Sequence, residues 1–160
     1  MSGGRGTWMI VITFGVALLM MILPLPEWAR PFRPQWVSLT LIYWCIALPH
    51  RVGVGTGFVL GIVLDVLTGT LLGQHALSLS VVAFLSVQLA ARIRVFPFWQ
   101  QALAVLVLLV LEHLLTLWVM GASGQIPPGL VYWVVPLIGA LLWPWVFVTL
   151  RDVRRRFKIA

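Results

Sequence analysis

The chain alternates between long apolar stretches and short polar or basic segments. Proline, glycine or arginine residues stand at most of the boundaries. A helix that crosses a bilayer needs about 20 predominantly apolar residues. The pattern therefore predicts a single transmembrane domain over residues 1–160, with about six membrane-spanning helices. The predicted spans are residues 8–23, 36–48, 54–72, 76–91, 98–120 and 130–150, followed by a basic tail at 151–160.

The runs are too long and too uniformly apolar to be strands of a membrane barrel, which have about 10 residues of alternating polarity. Backbone groups in lipid must also be paired within their own segment or in a closed barrel. The expected fold class is therefore an all-α membrane protein, a polytopic helix bundle with no soluble domain. The run at 36–48 is short for a span, so the second and third runs could instead form a re-entrant pair.

The composition supports a membrane location, because 61% of residues are hydrophobic and only 9% are charged. A soluble domain needs more charge to cover its surface. Basic residues are enriched in the cytoplasmic loops of membrane proteins. If both termini are cytoplasmic, the outer segments hold only Arg30 and Arg33. The inner segments then hold Arg5, Arg51, Arg92, Arg94, Arg151, Arg154, Arg155, Arg156 and Lys158.

These inner basic residues account for most of the net charge of +7. In a soluble protein such a charge would suggest nucleic-acid binding. Between membrane spans it indicates topology and an attraction to anionic lipid instead. An acidic cytoplasmic partner is the alternative. The predicted basic surface consists of Arg51, Arg92, Arg94, Arg151, Arg154, Arg155, Arg156 and Lys158.

Small residues recur every fourth position in the third run, at Gly57, Gly61, Gly69 and Gly73, with Asp65 in the same register. On a helix this spacing places them along one face. A neighbouring helix can approach closely there, so we predict a helix-packing stripe, with a ligand cavity as the alternative. Asp65 is predicted to face the bundle. A structural hydrogen bond, a partner contact and proton or ion handling all remain open for it.

Glu112 and His113 lie in the fifth run, where Glu112 could bond Thr116 one turn on or a polar group on another helix. Adjacent helical residues point about 100° apart, so the two are not expected to act together. The three histidines fall on different segments and Cys45 is the single cysteine. No metal-ligand spacing and no catalytic motif is present. The sequence therefore predicts no enzyme activity, no cofactor and no metal.

Four segments resemble the MreD family of rod shape-determining proteins from Gram-negative bacteria. They are FRPQWV at 32–37, LPHRVGVGTG at 48–57, LD at 64–65 with Gly69, and LWPWVF at 142–147 before a basic tail. The resemblance implies a non-enzymatic inner-membrane scaffold of the elongasome, which supports lateral peptidoglycan synthesis and rod shape. It also implies association with MreC, and through it with MreB, RodA and a class B penicillin-binding protein.

The resemblance also guides where a partner would bind. The glycine stripe and the basic segments are the candidate surfaces for the transmembrane helix of MreC. The family is distantly similar to the substrate-binding subunits of vitamin transporters. A small-molecule transporter, or a substrate-binding membrane subunit that uses Asp65 and Glu112, is therefore the alternative function.

Overall fold

A computed structural model describes residues 2–24, 26–28, 35–49, 51–69, 72–124 and 129–156, without the side chains of 2–6, 130 and 131. Over these residues the chain is all-helical and has no strand. The helices are α1 (Ser2–Ile22), α2 (Trp36–Ala47), α3 (Val54–Thr68), α4 (Gln74–Arg94), α5 (Phe98–Ala122) and α6 (Val134–Arg156). A short 3₁₀ helix, Leu130–Trp133, precedes α6. Arg30, Arg33, His50 and Lys158 lie outside the described residues.

Three of these helices, α4, α5 and α6, are long and apolar enough to cross a membrane. They have 21, 25 and 23 residues, or roughly 32 to 38 Å at the helical rise. The hydrocarbon core of a bilayer is about 30 Å thick. Helix α6 continues to Arg156 and so includes the first six residues of the basic segment predicted at 151–160.

The short helix α2 lies at the centre of the bundle. Eleven of its twelve residues are buried, and it packs against α1, α4, α5 and α6. This position explains why α2 is apolar on every side. The fully buried Trp44 also donates a hydrogen bond from Nε1 to Thr13 Oγ1 of α1 at 3.0 Å. The structure therefore surrounds this short apolar helix with neighbouring helices.

Helices α3 and α4 form the most extensive helix pair, and two glycines allow their close approach. A Cβ atom on Gly57 would lie 2.6 Å from the carbonyl oxygen of Leu79. One on Gly61 would overlap the backbone of Ala76. At both positions the obstacle is backbone, which cannot move aside as a flexible side chain can. These two glycines therefore set the distance between α3 and α4.

The predicted stripe is wrong beyond Asp65, because α3 ends at Thr68 and not near residue 72. Gly69 has φ +70° and Gly73 has φ +100°, values that other residues rarely adopt. Gly69 caps the C-terminus of α3, and Gly73 precedes the first residue of α4. A Cβ atom on either would meet nothing within 4 Å. The four-residue spacing of glycines thus continues past the end of α3 into the turn. There the glycines are needed for their positive φ angles and not for helix packing.

Candidate functional site

Buried polar side chains gather at one end of the bundle, which we call the polar end. They come from the beginning of α2, the last turn of α3, the first turns of α4 and the second half of α5. The members are Gln35, Ser38, Asp65, Gln74, Ser78, Glu112, His113 and Thr116. Polar groups buried among apolar helices need hydrogen-bond partners. The partners of these side chains therefore show what each one does.

Asp65 is fully buried and lies in the last turn of α3, not in the middle of a span. Its carboxylate accepts hydrogen bonds from the backbone N–H of Gly73 at 2.9 Å and of His75 at 3.0 Å. His75 Nδ1 lies 2.7 Å from Asp65 Oδ1. The first amides of a helix have no partner inside the helix and favour a negative charge. Asp65 therefore caps α4 from the end of α3, which is the geometry of a structural hydrogen bond.

Glu112 is buried in α5 and bonds to a different helix. Its Oε2 atom accepts hydrogen bonds from Gln35 Nε2 at 2.7 Å and from Ser38 Oγ at 2.6 Å. Both donors lie at the beginning of α2, whose N-terminal amides favour a carboxylate nearby. Glu112 thus connects α5 to the central helix.

His113 follows Glu112 in the chain but faces another element. Its ring packs against Tyr132, with the ring centroids 4.1 Å apart and the planes inclined by 33°. The Trp133 ring lies 6.1 Å away. Tyr132 also donates a hydrogen bond from its hydroxyl to the His113 carbonyl oxygen at 3.4 Å. Glu112 and His113 therefore contact α2 and the 3₁₀ helix respectively, and they share no partner among these contacts.

The basic side chains that the structure describes lie at the opposite end of the bundle, which we call the basic end. Arg92 and Arg94 lie in the last turn of α4, and the last turn of α6 has three arginines. Cations at a helix C-terminus interact favourably with the helix dipole. Arg51, in the loop between α2 and α3, donates from Nη2 to Thr7 Oγ1 of α1 at 2.6 Å.

The described residues include no group of three His, Cys, Asp or Glu side chains that could hold a metal ion. Cys45 is buried in α2.

Comparison with known proteins identifies the family. The family model for rod shape-determining protein MreD matches residues 3–153. The rod shape-determining protein MreD of Haemophilus influenzae is 32% identical over 157 residues, which covers 95% of this chain and 94% of that protein. The chain belongs to the MreD family. No solved structure matches it.

Family membership confirms the resemblance seen in the sequence and implies a role in determining rod shape. Together with the three long apolar helices, it identifies a membrane protein. The matched residues include part or all of each of the six helices and both buried acids, Asp65 and Glu112.

Sequence reasoning left open a bond between Glu112 and Thr116 or a polar group on another helix, and the structure has both. It missed the contact between α4 and α5 in this MreD-family chain. Ser78 Oγ lies 2.9 Å from Thr116 Oγ1 and joins α4 to α5, while Thr116 Oγ1 donates to the Glu112 carbonyl oxygen at 2.9 Å. The available signal was spacing, since Gln74 and Ser78, like Glu112 and Thr116, are four residues apart in apolar helices. That spacing places each pair on one helix face.

Proposed function

We propose that this chain is a multi-pass scaffold of the cell-wall elongation complex in the bacterial inner membrane, without enzymatic activity of its own. The match to the MreD family over residues 3–153 carries the proposal. The contacts of the two buried acids support it. Asp65 accepts bonds from the turn before α4 and Glu112 accepts bonds from α2, so both have partners within the bundle.

All six helices cross the membrane in this proposal, and both termini are cytoplasmic. The basic end then faces the cytoplasm, in agreement with the preference of arginine and lysine for that side. The polar end lies towards the periplasm. Helices α2 and α3 are too short to span the bilayer unaided, but the surrounding helices and their flanking loops complete the crossing. The whole chain is one transmembrane domain.

The proposed direct partner is MreC, with MreB, RodA and a class B penicillin-binding protein in the same complex. The glycine stripe is not a suitable contact surface for it, because α4 covers Gly57 and Gly61. A partner helix must therefore use an outward face. The outward faces of α1 and α3 carry large exposed apolar side chains, among them Trp8, Leu19, Phe58 and Val66.

Photo-crosslinking in living cells tests partner binding. A crosslinkable amino acid is placed at Leu19 of α1, Val66 of α3, Val107 of α5 or Leu141 of α6, all of which are exposed. The buried Leu64 serves as the control. We expect one helix face to capture MreC while the others and Leu64 do not. Failure of every exposed face to capture a member of the complex would contradict the scaffold role.

Depletion tests the role itself. Cells that lose the protein are expected to become round as lateral wall synthesis fails, and the wild-type gene should restore the rods. Cells that stay rod-shaped but need a supplied nutrient would instead indicate the transporter.

A further inference from the structure

A groove separates α1 from α6 on the side of the bundle. Helix α1 packs mainly against α2, and the space between α1 and α6 is a cavity of about 300 Å³. Met9, Val16 and Met20 line it on the α1 side, and Thr149 and Val153 on the α6 side. The groove is part of neither the polar end nor the contacts of the two buried acids.

The groove wall is mostly apolar, and two of its three threonines use their hydroxyl groups within the protein. Thr13 Oγ1 donates to the carbonyl oxygen of Ile10 and accepts from Trp44 Nε1. Thr40 Oγ1 donates to the carbonyl oxygen of Trp36, within its own helix. Their hydroxyl groups are thus occupied within the protein. A hydrocarbon chain is the occupant that suits such a wall.

The length of the groove corresponds to one leaflet of a bilayer. From Met9 to Met20 the α1 wall rises by roughly 16 Å, and half of the hydrocarbon core is about 15 Å. At one end the rings of Trp36 and Trp145, both of which line the groove, meet edge-to-face with their centroids 6.3 Å apart. The other end lies at Met9 and Val153, close to the first residues of α1 and the last residues of α6.

Positive charge is concentrated at that second end. Arg156 lies seven residues after Thr149 and three after Val153, which places it on the groove side of α6. The last six residues of α6 contain four arginines against one aspartate. The apolar groove is about one leaflet long and can hold an acyl chain, and the arginines at its end can attract an anionic headgroup.

We propose that this groove binds one acyl chain of an anionic phospholipid, with the lipid phosphate at the level of Arg156. The inference requires only that the chain lies in a membrane and is independent of the partners proposed above. A bound lipid would fill the gap between α1 and α6. It would thereby add a contact that holds α1 to the bundle, besides the packing of α1 on α2.

Native mass spectrometry of the full-length protein in detergent tests the proposal. The probes are palmitoyl-oleoyl phosphatidylglycerol and phosphatidylcholine with the same chains. We expect one phosphatidylglycerol to bind in preference to phosphatidylcholine, and Arg156→Gln to weaken its binding about fivefold, the effect of one charge near an anionic surface. Arg155→Gln is the matched control, because Arg155 lies seven residues after Val148, off the groove. It should leave the preference nearly unchanged.

Filling the groove tests its location. Thr149→Trp should remove the bound lipid, whereas Val148→Trp, on the adjacent and non-lining position of the same helix, should retain it. If Thr149→Trp does not fold, as judged by its thermal unfolding, the opposite wall offers Val16→Trp with Val11→Trp as the control. Both of these α1 residues are about half exposed, and only Val16 lines the groove.

Four results would overturn the proposal. One is equal binding of the two lipids, and another is lipid binding that survives both groove-filling variants. The third is that the groove-filling variants lose a dimer peak and no lipid peak, which would assign the groove to a second copy of the chain. The fourth is displacement of the lipid by glycerol phosphate at the same concentration, which would show a site for phosphate alone.

Discussion

The α3–α4 hairpin and the α2–α5 contact each contain one buried acid, but they hold it in different ways. The donors to Asp65 are mainly backbone amides, eight and ten residues further along the chain. The donors to Glu112 are side chains that precede it by 77 and 74 residues. The first contact closes a local turn, whereas the second requires two distant helices to be in place. A buried carboxylate can thus specify a hairpin in one region and a tertiary arrangement in the other.

The difference also affects what a substitution removes. Backbone amides remain when Asp65 is replaced, so they are left without their acceptor at the start of α4. Around Glu112 the donors are side chains, which can rotate to other partners. We therefore expect the α3–α4 hairpin to be the more sensitive of the two regions.

The largest effect is predicted for Gly61→Ala in the hairpin. The added methyl group would overlap the backbone of Ala76, so α3 and α4 must separate. We expect a loss of about 3 kcal/mol in the free energy of unfolding, at the upper end of the usual overpacking cost. Tryptophan fluorescence during thermal unfolding in detergent measures it. Gly55→Ala is the control on the same helix, because a Cβ atom there meets nothing within 4 Å, and equal effects of the two variants would contradict the close backbone contact.

The second effect is predicted for Asp65→Ala, which removes the acceptor from Gly73 and His75. We expect a loss of about 2–3 kcal/mol, the cost of leaving buried donors unsatisfied. Asp65→Asn keeps one acceptor oxygen and should lose less. Asp152→Ala, at an exposed position of α6, should change stability by less than about 0.5 kcal/mol. If Asp65→Ala lost no more stability than the control Asp152→Ala, the cap would not be needed for folding.

The third prediction concerns Glu112→Gln, which retains an oxygen that can accept from Ser38 and Gln35. We expect a loss of only about 0.5–1 kcal/mol, in the range measured for hydrogen bonds between membrane helices. Glu112→Leu removes the acceptor and should cost more. A double-mutant cycle with Ser38→Ala measures the coupling directly. If Glu112→Gln proved more damaging than Asp65→Ala, the proposed order of the two regions would be reversed.

The smallest effect is predicted for Thr116→Val, which breaks the contact with Ser78 between α4 and α5. We expect a loss of about 0.6 kcal/mol, the average for such contacts in a membrane protein. Because the two hydroxyl groups bond to each other, Ser78→Ala combined with Thr116→Val should cost less than the sum of the single variants. Full additivity, measured by the same unfolding assay, would indicate that the two side chains act independently.

The apolar pattern was sufficient to predict an all-helical fold, because only helices satisfy the backbone over such long apolar runs. It also placed the beginning of α5 at Phe98, directly after Pro97, whose missing N–H suits the start of a helix. The end of α3 was predicted incorrectly. The left-handed conformation of Gly69 ends that helix, and a spacing of four residues does not distinguish a glycine in a turn from one on a helix face.

The contacts of the polar end depend on tertiary structure and could not be read from the sequence. Spacing indicated that Glu112 and His113 face different ways, but it did not indicate that Gln35 and Ser38 lie beside Glu112. The groove between α1 and α6 was also beyond sequence reasoning. It results from α1 packing on α2 without covering α6, and the uniform hydrophobicity of α1 does not reveal which face is left open.

The most direct test of the central claim, that the buried acids serve structure in a rod-shape scaffold, is complementation by a chain carrying both Asp65→Asn and Glu112→Gln. Cell shape and the amount of protein in the membrane are measured together in depleted cells. We predict that cells remain rod-shaped wherever the variant accumulates to the wild-type level, and that any rounding follows a loss of protein. Round cells that contain the variant at the full level would contradict the claim, because one of the acids would then have a role beyond holding the bundle together.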